Sequence, residues 1–271
     1  MIPRLYNKVP YRGRFAPSPT GQLHAGSLMA ALGSWIQARK AEGEWLVRIE
    51  DIDPPREVSG SKAHILAALE AHGLYWDKDI VYQSDRTEAY LFLISQLRSY
   101  FCSCTRQKIK EQRNHIRSLC TPGKALRFQN TSPIYSFDDL FQGLIKIPKD
   151  MAEEDFLLMR SDGYFTYQLA VVCDDLAQGI THVIRGEDLL HATGWQLNLM
   201  AAISENSPIY GHLPLIRDSR GLKLSKQNHA KPLDYTNSEA VRQNLRTALI
   251  GLGHSPPDLS SSELLSWTIT T

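Results

Sequence analysis

The stretch GRFAPSPTGQLHAGSL, residues 13–28, decides the fold, because it joins a short apolar run to a helix through a turn that a packed core does not require. Pro17 and Pro19 cannot continue a strand ladder, since proline has no N–H to donate. Gly21 is typical of a turn, and the helix is expected to begin at His24. The stretch therefore predicts a strand, a tight turn and a helix that starts at the end of a sheet.

The segments that follow alternate between helical and strand patterns. SLMAALGSWIQARK, residues 27–40, predicts a helix. GEWLVRIEDIDPPR, residues 43–56, is a glycine-led apolar run typical of a buried strand. Two more helices are predicted at residues 61–74, where Gly73 stops the helix, and at residues 87–100. The apolar stripe of the first helix consists of Leu28, Ala31, Leu32, Trp35 and Ile36. This alternation predicts a parallel α/β sheet.

The alternation is interrupted between about residues 101 and 155, a region that contains three cysteines. It resumes over residues 155–203 with a strand, a turn, a helix, a strand and a second helix that opens near Asp188. Residues 238–253, SEAVRQNLRTALIGLG, are the clearest helix near the end, and a serine-rich tail follows. The interrupted region is therefore interpreted as an insertion.

Composition excludes several classes of protein. With 42% hydrophobic and 22% charged residues in 271, the chain has a globular balance. A net charge of +1 excludes a strongly basic nucleic-acid coat but is compatible with a local basic face. No apolar run reaches transmembrane length, and residues 1–14 lack the apolar centre of a signal peptide. We therefore expect a cytoplasmic protein without a membrane partner.

Two distant segments offer groups suited to phosphate. The helix start HAGS, residues 24–27, has N–H groups and a dipole that favour an anion, and its glycine lets a flat ring approach the backbone. GLKLSKQN, residues 221–228, contains two lysines that are three residues apart, with a serine beside them. A turn merely capped by histidine and a solvated lysine loop are the plainer interpretations. The candidate phosphate-binding residues are His24, Gly26, Ser27, Lys223, Ser225 and Lys226.

Taken together, these motifs resemble the class I aminoacyl-tRNA synthetases, and among them the glutamyl type. HAGS corresponds to the HIGH motif of that family and KLSKQ, residues 223–227, to its KMSKS loop. Four further blocks match in the same order: RFAPSPTG, LVRIEDID, THVIRGEDLL and HLPLI. The resemblance covers residues 14–228. It implies a Rossmann-type sheet with the active site above the carboxyl ends of its strands.

The resemblance also implies a glutamate site. Glutamate carries two carboxylates and one ammonium, so Arg14 and Arg185 are expected to supply guanidinium groups and Glu50 to bind the ammonium. Further contacts are implied for Ala16, Ser18 and Tyr167. A strand-end acid at Glu50 and a surface salt bridge at Arg185 are the alternatives. The implied catalytic residues are His24, Lys223 and Lys226, which act with ATP and Mg²⁺.

The phrases RIEDIDPPREV and KLSKQNHA also resemble the short glutamyl-queuosine tRNA(Asp) synthetases. That family activates glutamate with ATP and attaches it to the queuosine base of the tRNA(Asp) anticodon loop. An anticodon-binding domain is expected to be absent. The alternatives are a truncated glutamyl-tRNA synthetase that charges a tRNA 3′ end, a non-catalytic tRNA-binding module, and another adenylate-forming enzyme on the same fold.

Three cysteines form the pattern C-x-C-x15-C, at Cys102, Cys104 and Cys120, which suits a structural Zn²⁺ site better than a disulfide. The family has a tyrosine ligand four residues before the last cysteine, where this chain has Ile116. His115 is the candidate replacement. The alternatives are water in the fourth position, or three reduced thiols without metal. Cys173, within LAVVCDDL, is expected to be a small buried apolar residue.

The predicted fold class is α/β, a Rossmann-type parallel-sheet catalytic core with an inserted subdomain and a short helical C-terminal segment. Its predicted limits are residues 1–100 and 156–235 for the two halves of the core, 101–155 for the insertion and 236–271 for the helical segment.

Overall fold

The computed structural model describes residues 10–112, 115–216 and 231–271. Strand β1 spans Arg12–Phe15 and ends before the two prolines. Helix α1 spans Ala25–Lys40, and His24 caps it, because the His24 Nδ1 atom accepts the Ser27 N–H at 3.2 Å. The strand, turn and helix predicted from residues 13–28 are therefore confirmed.

The remaining elements follow in chain order: β2 (Glu44–Ile49), α2 (Ser61–Ala71), β3 (Val81–Tyr82), α3 (Thr87–Gln96), β4 (Ser99–Cys102), α4 (Arg106–Glu111), β5 (Ala125–Phe128), β6 (Ser136–Asp139), β7 (Gly143–Lys146), α5 (Lys149–Ala152), β8 (Leu157–Met159), α6 (Tyr167–Ala177), β9 (His182–Gly186), α7 (Leu190–Ala201), β10 (Ile209–Leu213), α8 (Ser238–Gly251) and α9 (Ser261–Thr270). The predicted helix over residues 87–100 is wrong at its end. Helix α3 stops at Gln96, because Ser99–Cys102 pairs as an antiparallel strand with β5.

The strands that carry the site form a largely parallel arrangement. Strands β1, β2 and β3 pair in parallel, as do β9, β10 and β6. Strand β1 lies beside β9 at their amino-terminal ends, where the Thr181 N–H donates to the Arg12 carbonyl at 2.9 Å. Ladder hydrogen bonds join the strands in two groups, β3-β2-β1 and β9-β10-β6-β7, which lie side by side with β1 next to β9 and with β7 antiparallel at the outer edge. The predicted α/β fold with a parallel sheet is confirmed.

A second sheet contains β4, β5 and β8, all antiparallel. It carries the cysteine-containing segment. Within the region predicted as an insertion, β6 and β7 join the main sheet through β10, whereas β4 and β5 pair with β8. The domain limits at residues 100, 155 and 235 stay predictions.

Helix α1 forms the centre of the core on one side of the sheet. The five residues of its predicted apolar stripe are all buried, and α8 and α9 contribute Leu245, Leu249 and Leu264 to the same cluster. Gly33 permits this packing, because a Cβ there would lie 2.6 Å from Leu213 Cδ1. Within the described residues, no helix has the length and apolar character needed to cross a membrane.

Candidate active site and cysteine cluster

A cleft of about 680 Å³ opens at the carboxyl ends of β1, β2, β9 and β10. This is the edge at which parallel α/β sheets bind their ligands. The structure brings together nine of the predicted site residues, which line this one cleft: Arg14, Ala16, Ser18, His24, Gly26, Ser27, Glu50, Tyr167 and Arg185. The other three residues predicted for the glutamate and ATP sites, Lys223, Ser225 and Lys226, lie outside the described residues.

The orientation of Arg14 is fixed by the carboxylate of Asp175, a residue that was not predicted from the sequence. The Arg14 Nε and Nη2 atoms donate to the two oxygens of Asp175 at 3.1 and 3.2 Å. The Arg48 Nη2 atom donates to the same Asp175 at 2.7 Å. Because one edge of the Arg14 guanidinium is occupied in this way, the opposite edge of Nη1 and Nη2 remains for a ligand.

The neighbouring acid, Asp174, is also buried and fully bonded. Its carboxylate accepts from the side chains of Gln83, Arg86 and Tyr90 at 2.8 to 2.9 Å. Two adjacent acids within the apolar run of α6, and an arginine within the apolar strand β2, were the available signals. Charged residues are seldom buried unless they are paired, so such interruptions indicate a buried network.

Glu50 lies directly after β2 and is only 9% exposed. Its Oε1 atom is buried and has no hydrogen-bond partner within the described parts of the chain. Burial raises the pKa of Glu50 to about 7, although the cations of Arg48 and Arg14 oppose that shift. A buried carboxylate oxygen without a donor, facing a cleft, is a fitting acceptor for a ligand cation.

Arg185 has most of its donors engaged by the protein. Its Nε atom donates to His212 Nε2 at 3.1 Å and its Nη2 atom to Thr193 Oγ1 at 2.8 Å and the Leu189 carbonyl at 3.4 Å. Its Nη1 atom donates to the Tyr167 hydroxyl at 3.2 Å. Within the described residues these contacts leave one N–H on Nη1, so Arg185 can offer a ligand a single donor.

The start of α1 forms another wall of the cleft. His24, Gly26 and Ser27 all line it. Besides capping the helix, His24 places Nε2 at 3.1 Å from the Ser27 hydroxyl. The Ser27 N–H is taken up by His24 Nδ1, but His24, Gly26 and Ser27 still border the cleft, so the capping role is compatible with an anion placed at this end of α1.

The predicted cysteine cluster is brought together away from the cleft-lining residues. The ligand atoms of Cys102, Cys104, His115 and Cys120 all lie within 4.8 Å of one another. The Cys102 Sγ and His115 Nε2 atoms are 3.4 Å apart. Three thiols and one imidazole at this spacing fit tetrahedral Zn²⁺, whose bonds to sulfur and nitrogen are about 2.0 to 2.3 Å long. All four cysteines of the chain are free, and Cys173 is buried as expected.

The pKa values of two cysteines in the cluster shift in opposite directions: burial and the neighbouring Cys102 raise the pKa of Cys120 to about 12, whereas the pKa of Cys102 is lowered. Burial would raise the pKa of Cys102, but hydrogen bonds from Cys120, Cys104 and Arg127 outweigh it and lower that pKa. The Arg127 Nε atom donates to Cys102 Sγ at 3.3 Å. His115 Nδ1 lies 3.4 Å from the Tyr100 hydroxyl, which itself donates to Asp155 at 2.7 Å.

Comparison with known proteins places this geometry in a family. The catalytic-domain model of the class I tRNA synthetases (E and Q) matches residues 10–125 and 120–266. The chain is 47% identical over 272 residues to the glutamyl-Q tRNA(Asp) synthetase of Vibrio cholerae, covering 95% of this chain and 88% of the relative. The chain belongs to the glutamyl-Q tRNA(Asp) synthetase family. The family relative from Shewanella amazonensis is 48% identical over 264 residues, covering 94% of this chain and 90% of the relative.

Solved structures agree with this placement in the family. A glutamate-tRNA synthetase from Elizabethkingia anophelis superposes with a TM-score of 0.78 at 26% identity, covering 94% of this chain and 65% of that one. A glutamate tRNA ligase from Elizabethkingia meningosepticum, in complex with its amino acid, gives a TM-score of 0.77 at 26% identity, covering 94% of this chain and 64% of that one. The chain thus spans just under two thirds of these synthetases. It is an enzyme of the tRNA synthetase class, and the resemblance seen in its sequence is confirmed.

Proposed function

We propose that this enzyme activates L-glutamate with ATP to form glutamyl-adenylate and transfers the glutamate to the queuosine base of tRNA(Asp). One observation carries the amino-acid part of the proposal. The cleft contains the buried carboxylate of Glu50, one oxygen of which has no partner among residues 10–112, 115–216 and 231–271, together with the guanidinium groups of Arg14 and Arg185. One negative and two positive groups complement the ammonium and the two carboxylates of glutamate.

The donors suggest how the two carboxylates are divided. Arg14 keeps its outer Nη1 and Nη2 edge, which suits a two-pronged contact with one carboxylate. The Tyr167 hydroxyl accepts from Arg185, which leaves its own O–H as a donor beside the remaining N–H of Arg185. These two donors form a composite site for the other carboxylate. Ala16 and Ser18 border the cleft between β1 and α1.

ATP is proposed to lie against the start of α1, with its phosphates near His24, Gly26 and Ser27. An oxygen of the substrate carboxylate attacks the α-phosphorus, and the bond between that phosphorus and the oxygen bridging to the β-phosphate breaks. Pyrophosphate leaves, with the lysines at 223 and 226 balancing its charge and Ser225 adding a donor; Mg²⁺, when bound with ATP, would supply further positive charge. No protein nucleophile is required, so positioning and electrostatics supply the catalysis, with positioning worth on the order of 7–11 kcal/mol.

We further propose that Cys102, Cys104, Cys120 and His115 hold a structural Zn²⁺ ion. The ion would stabilise the fold of this segment through a closed tetrahedral site and would take no part in the adenylation step. The support is the convergence of four suitable ligand atoms within 4.8 Å. His115 then replaces the tyrosine that the family has at the position of Ile116, which is 39% exposed.

Mass spectrometry of the reaction product tests the transfer step. With isotope-labelled glutamate and queuosine-bearing tRNA(Asp), nuclease digestion should release labelled glutamate on the anticodon-loop base. Label on the terminal ribose would instead identify a truncated glutamyl-tRNA synthetase. No glutamate-dependent product, together with no pyrophosphate exchange, would identify a non-catalytic binding module.

Pyrophosphate exchange tests the activation step. Lys226→Ala is expected to nearly abolish glutamate-dependent exchange and to leave the unfolding transition unchanged. Lys231→Ala, a change of the same kind at an exposed position outside the motif, should retain activity. Exchange by Lys226→Ala at the wild-type rate would refute the role given to this lysine.

A further inference from the structure

A buried group of side chains lies behind Arg185 and is not part of the cleft lining. Asp139, Thr193 and His212 are each at most 5% exposed, and none of them lines the cleft among the described residues. They come from β6, α7 and β10, so three separate elements converge on one guanidinium. Arg185 also lies over the Tyr210 ring, with its Cζ atom 5.3 Å from the ring centroid.

The hydrogen-bond directions in this group are fixed by elimination. The Asp139 Oδ2 atom lies 2.6 Å from His212 Nδ1, and an ionised carboxylate only accepts, so Nδ1 must carry the proton. His212 Nε2 is then the bare nitrogen of a neutral imidazole. It accepts the Arg185 Nε–H at 3.1 Å. Burial and the Arg185 cation lower the pKa of His212 to about 4, in agreement with a neutral ring.

The carboxylate of Asp139 is itself held in one orientation. Its Oδ1 atom accepts the backbone N–H groups of Phe141 and Gln142 at 3.0 Å each and that of His212 at 3.2 Å. Only Oδ2 therefore faces the imidazole. The chain of contacts runs from three backbone donors, through Asp139 and His212, to Arg185.

We infer that Asp139 and His212 are positioning residues for glutamate binding, which orient Arg185 by holding His212 in its Nδ1–H tautomer. This inference rests on the proposed function, because it takes Arg185 to contact a carboxylate of the substrate. With Nε held by His212 and Nη2 by Thr193, the guanidinium has a single orientation, in which Nη1 and the Tyr167 hydroxyl meet the ligand together. A guanidinium fixed in advance loses little entropy when the ligand binds.

The isosteric variant Asp139→Asn tests the tautomer directly. The three backbone donors keep the amide oxygen at the Oδ1 position, which turns the amide NH₂ toward His212 Nδ1. The histidine proton must then move to Nε2. The Nε2–H of His212 and the Nε–H of Arg185 are then two donors that face each other. The protonated Nε2 can then donate to Thr193 Oγ1, which lies 3.1 Å away, but the buried Arg185 Nε–H loses its acceptor. This loss is expected to weaken glutamate binding roughly 10- to 100-fold. The KM for ATP should not change. Asp138→Asn, the same change at the exposed neighbouring position, is the matched control.

Two measurements decide the outcome. Nitrogen-15 NMR of the histidine rings in the wild-type enzyme should show His212 with a protonated Nδ1 and a bare Nε2. Isothermal titration calorimetry with L-glutamate should show the loss for Asp139→Asn alone. A protonated Nε2 in the wild-type enzyme would overturn the inference whether or not the variant folds.

Equal glutamate affinity in Asp139→Asn and wild type would overturn this inference alone, as would a parallel rise of the KM values for glutamate and ATP. Wild-type enzyme that does not bind glutamate would overturn the proposed function as well. The two failures are thereby distinguished.

Discussion

Replacing Glu50 with glutamine is expected to make the enzyme more stable and less able to bind glutamate. Burial raises the pKa of Glu50 to about 7 in the folded chain, against about 4.3 in an unfolded chain. Between these values the folded chain binds a proton that the unfolded chain has released. The free energy of unfolding therefore falls as the pH rises through this window, and the loss is complete above about pH 7. The size of the shift corresponds to roughly 3–4 kcal/mol.

Glutamine cannot ionise, so the free energy of unfolding of the Glu50→Gln variant should not fall in this way as the pH rises. At pH 5 its free energy of unfolding should exceed that of the wild type by only about 1 kcal/mol, and at pH 8 by up to roughly 3–4 kcal/mol. Urea unfolding at the two pH values measures this difference. Glu70→Gln, on the exposed face of α2, removes the same charge without desolvation and should leave the pH dependence as in the wild type.

Binding should change in the opposite direction. In the variant, the ammonium of glutamate loses its buried anionic partner, and breaking such a pair costs about 3–5 kcal/mol, which is a loss of at least a hundredfold in affinity. In the wild type, affinity should also fall by about tenfold per pH unit below pH 7, because Glu50 must release a proton before it binds the cation. Calorimetry at several pH values measures both effects. A Glu50→Gln variant with wild-type affinity and a wild-type pH profile of stability would refute this reasoning.

Three further changes test other parts of the structure. In protein purified without added metal, His115→Ala should contain less zinc than the roughly one equivalent expected of the wild type, and it should lose that zinc more readily to chelators. Ile116→Ala should show neither change. Equal zinc content in the two variants would exclude His115 as a ligand. Ser260→Ala removes the side-chain cap of α9, in which the Ser260 Oγ atom accepts the Glu263 N–H. This change should lower the free energy of unfolding, measured with urea, by about 1 kcal/mol, and Ser262→Ala is the control. Tyr167→Phe removes the hydroxyl beside Arg185 and should raise the KM for glutamate by about tenfold with little change in the KM for ATP.

The cleft residues were accessible to sequence reasoning because they sit in short motifs at strand ends. Arg14 and Arg185 lie near the ends of parallel strands, Glu50 follows another, and parallel strands carry such residues to one edge. Their supporting partners were not accessible in this way. Arg14 and Asp175 are 161 positions apart, and Asp139 and His212 are 73 apart. No local pattern pairs such residues, since only the packed sheet brings them together.

Two local errors have physical causes. Residues 99–100 continue the apolar pattern of α3, but pairing with β5 converts them to strand. The serine-rich end was interpreted as a tail, although it forms α9 and buries Leu264 and Leu265. The signal for that helix was present in the serine and glutamate three residues apart at Ser260 and Glu263. They form a reciprocal capping box, which serine content alone obscures.

The carboxylate of Asp175 serves Arg14 on β1 and Arg48 on β2 at once, yet it belongs to α6. A fragment ending before α6 would contain two buried cations without their counter-ion, and one beginning after β2 would contain an acid with neither guanidinium. Each portion would carry an uncompensated charge into a low-dielectric interior, a state too costly to persist. Ligand recognition in this enzyme therefore cannot be divided between separately folded fragments. During synthesis, the glutamate site must form late, after α6 has packed against β1 and β2.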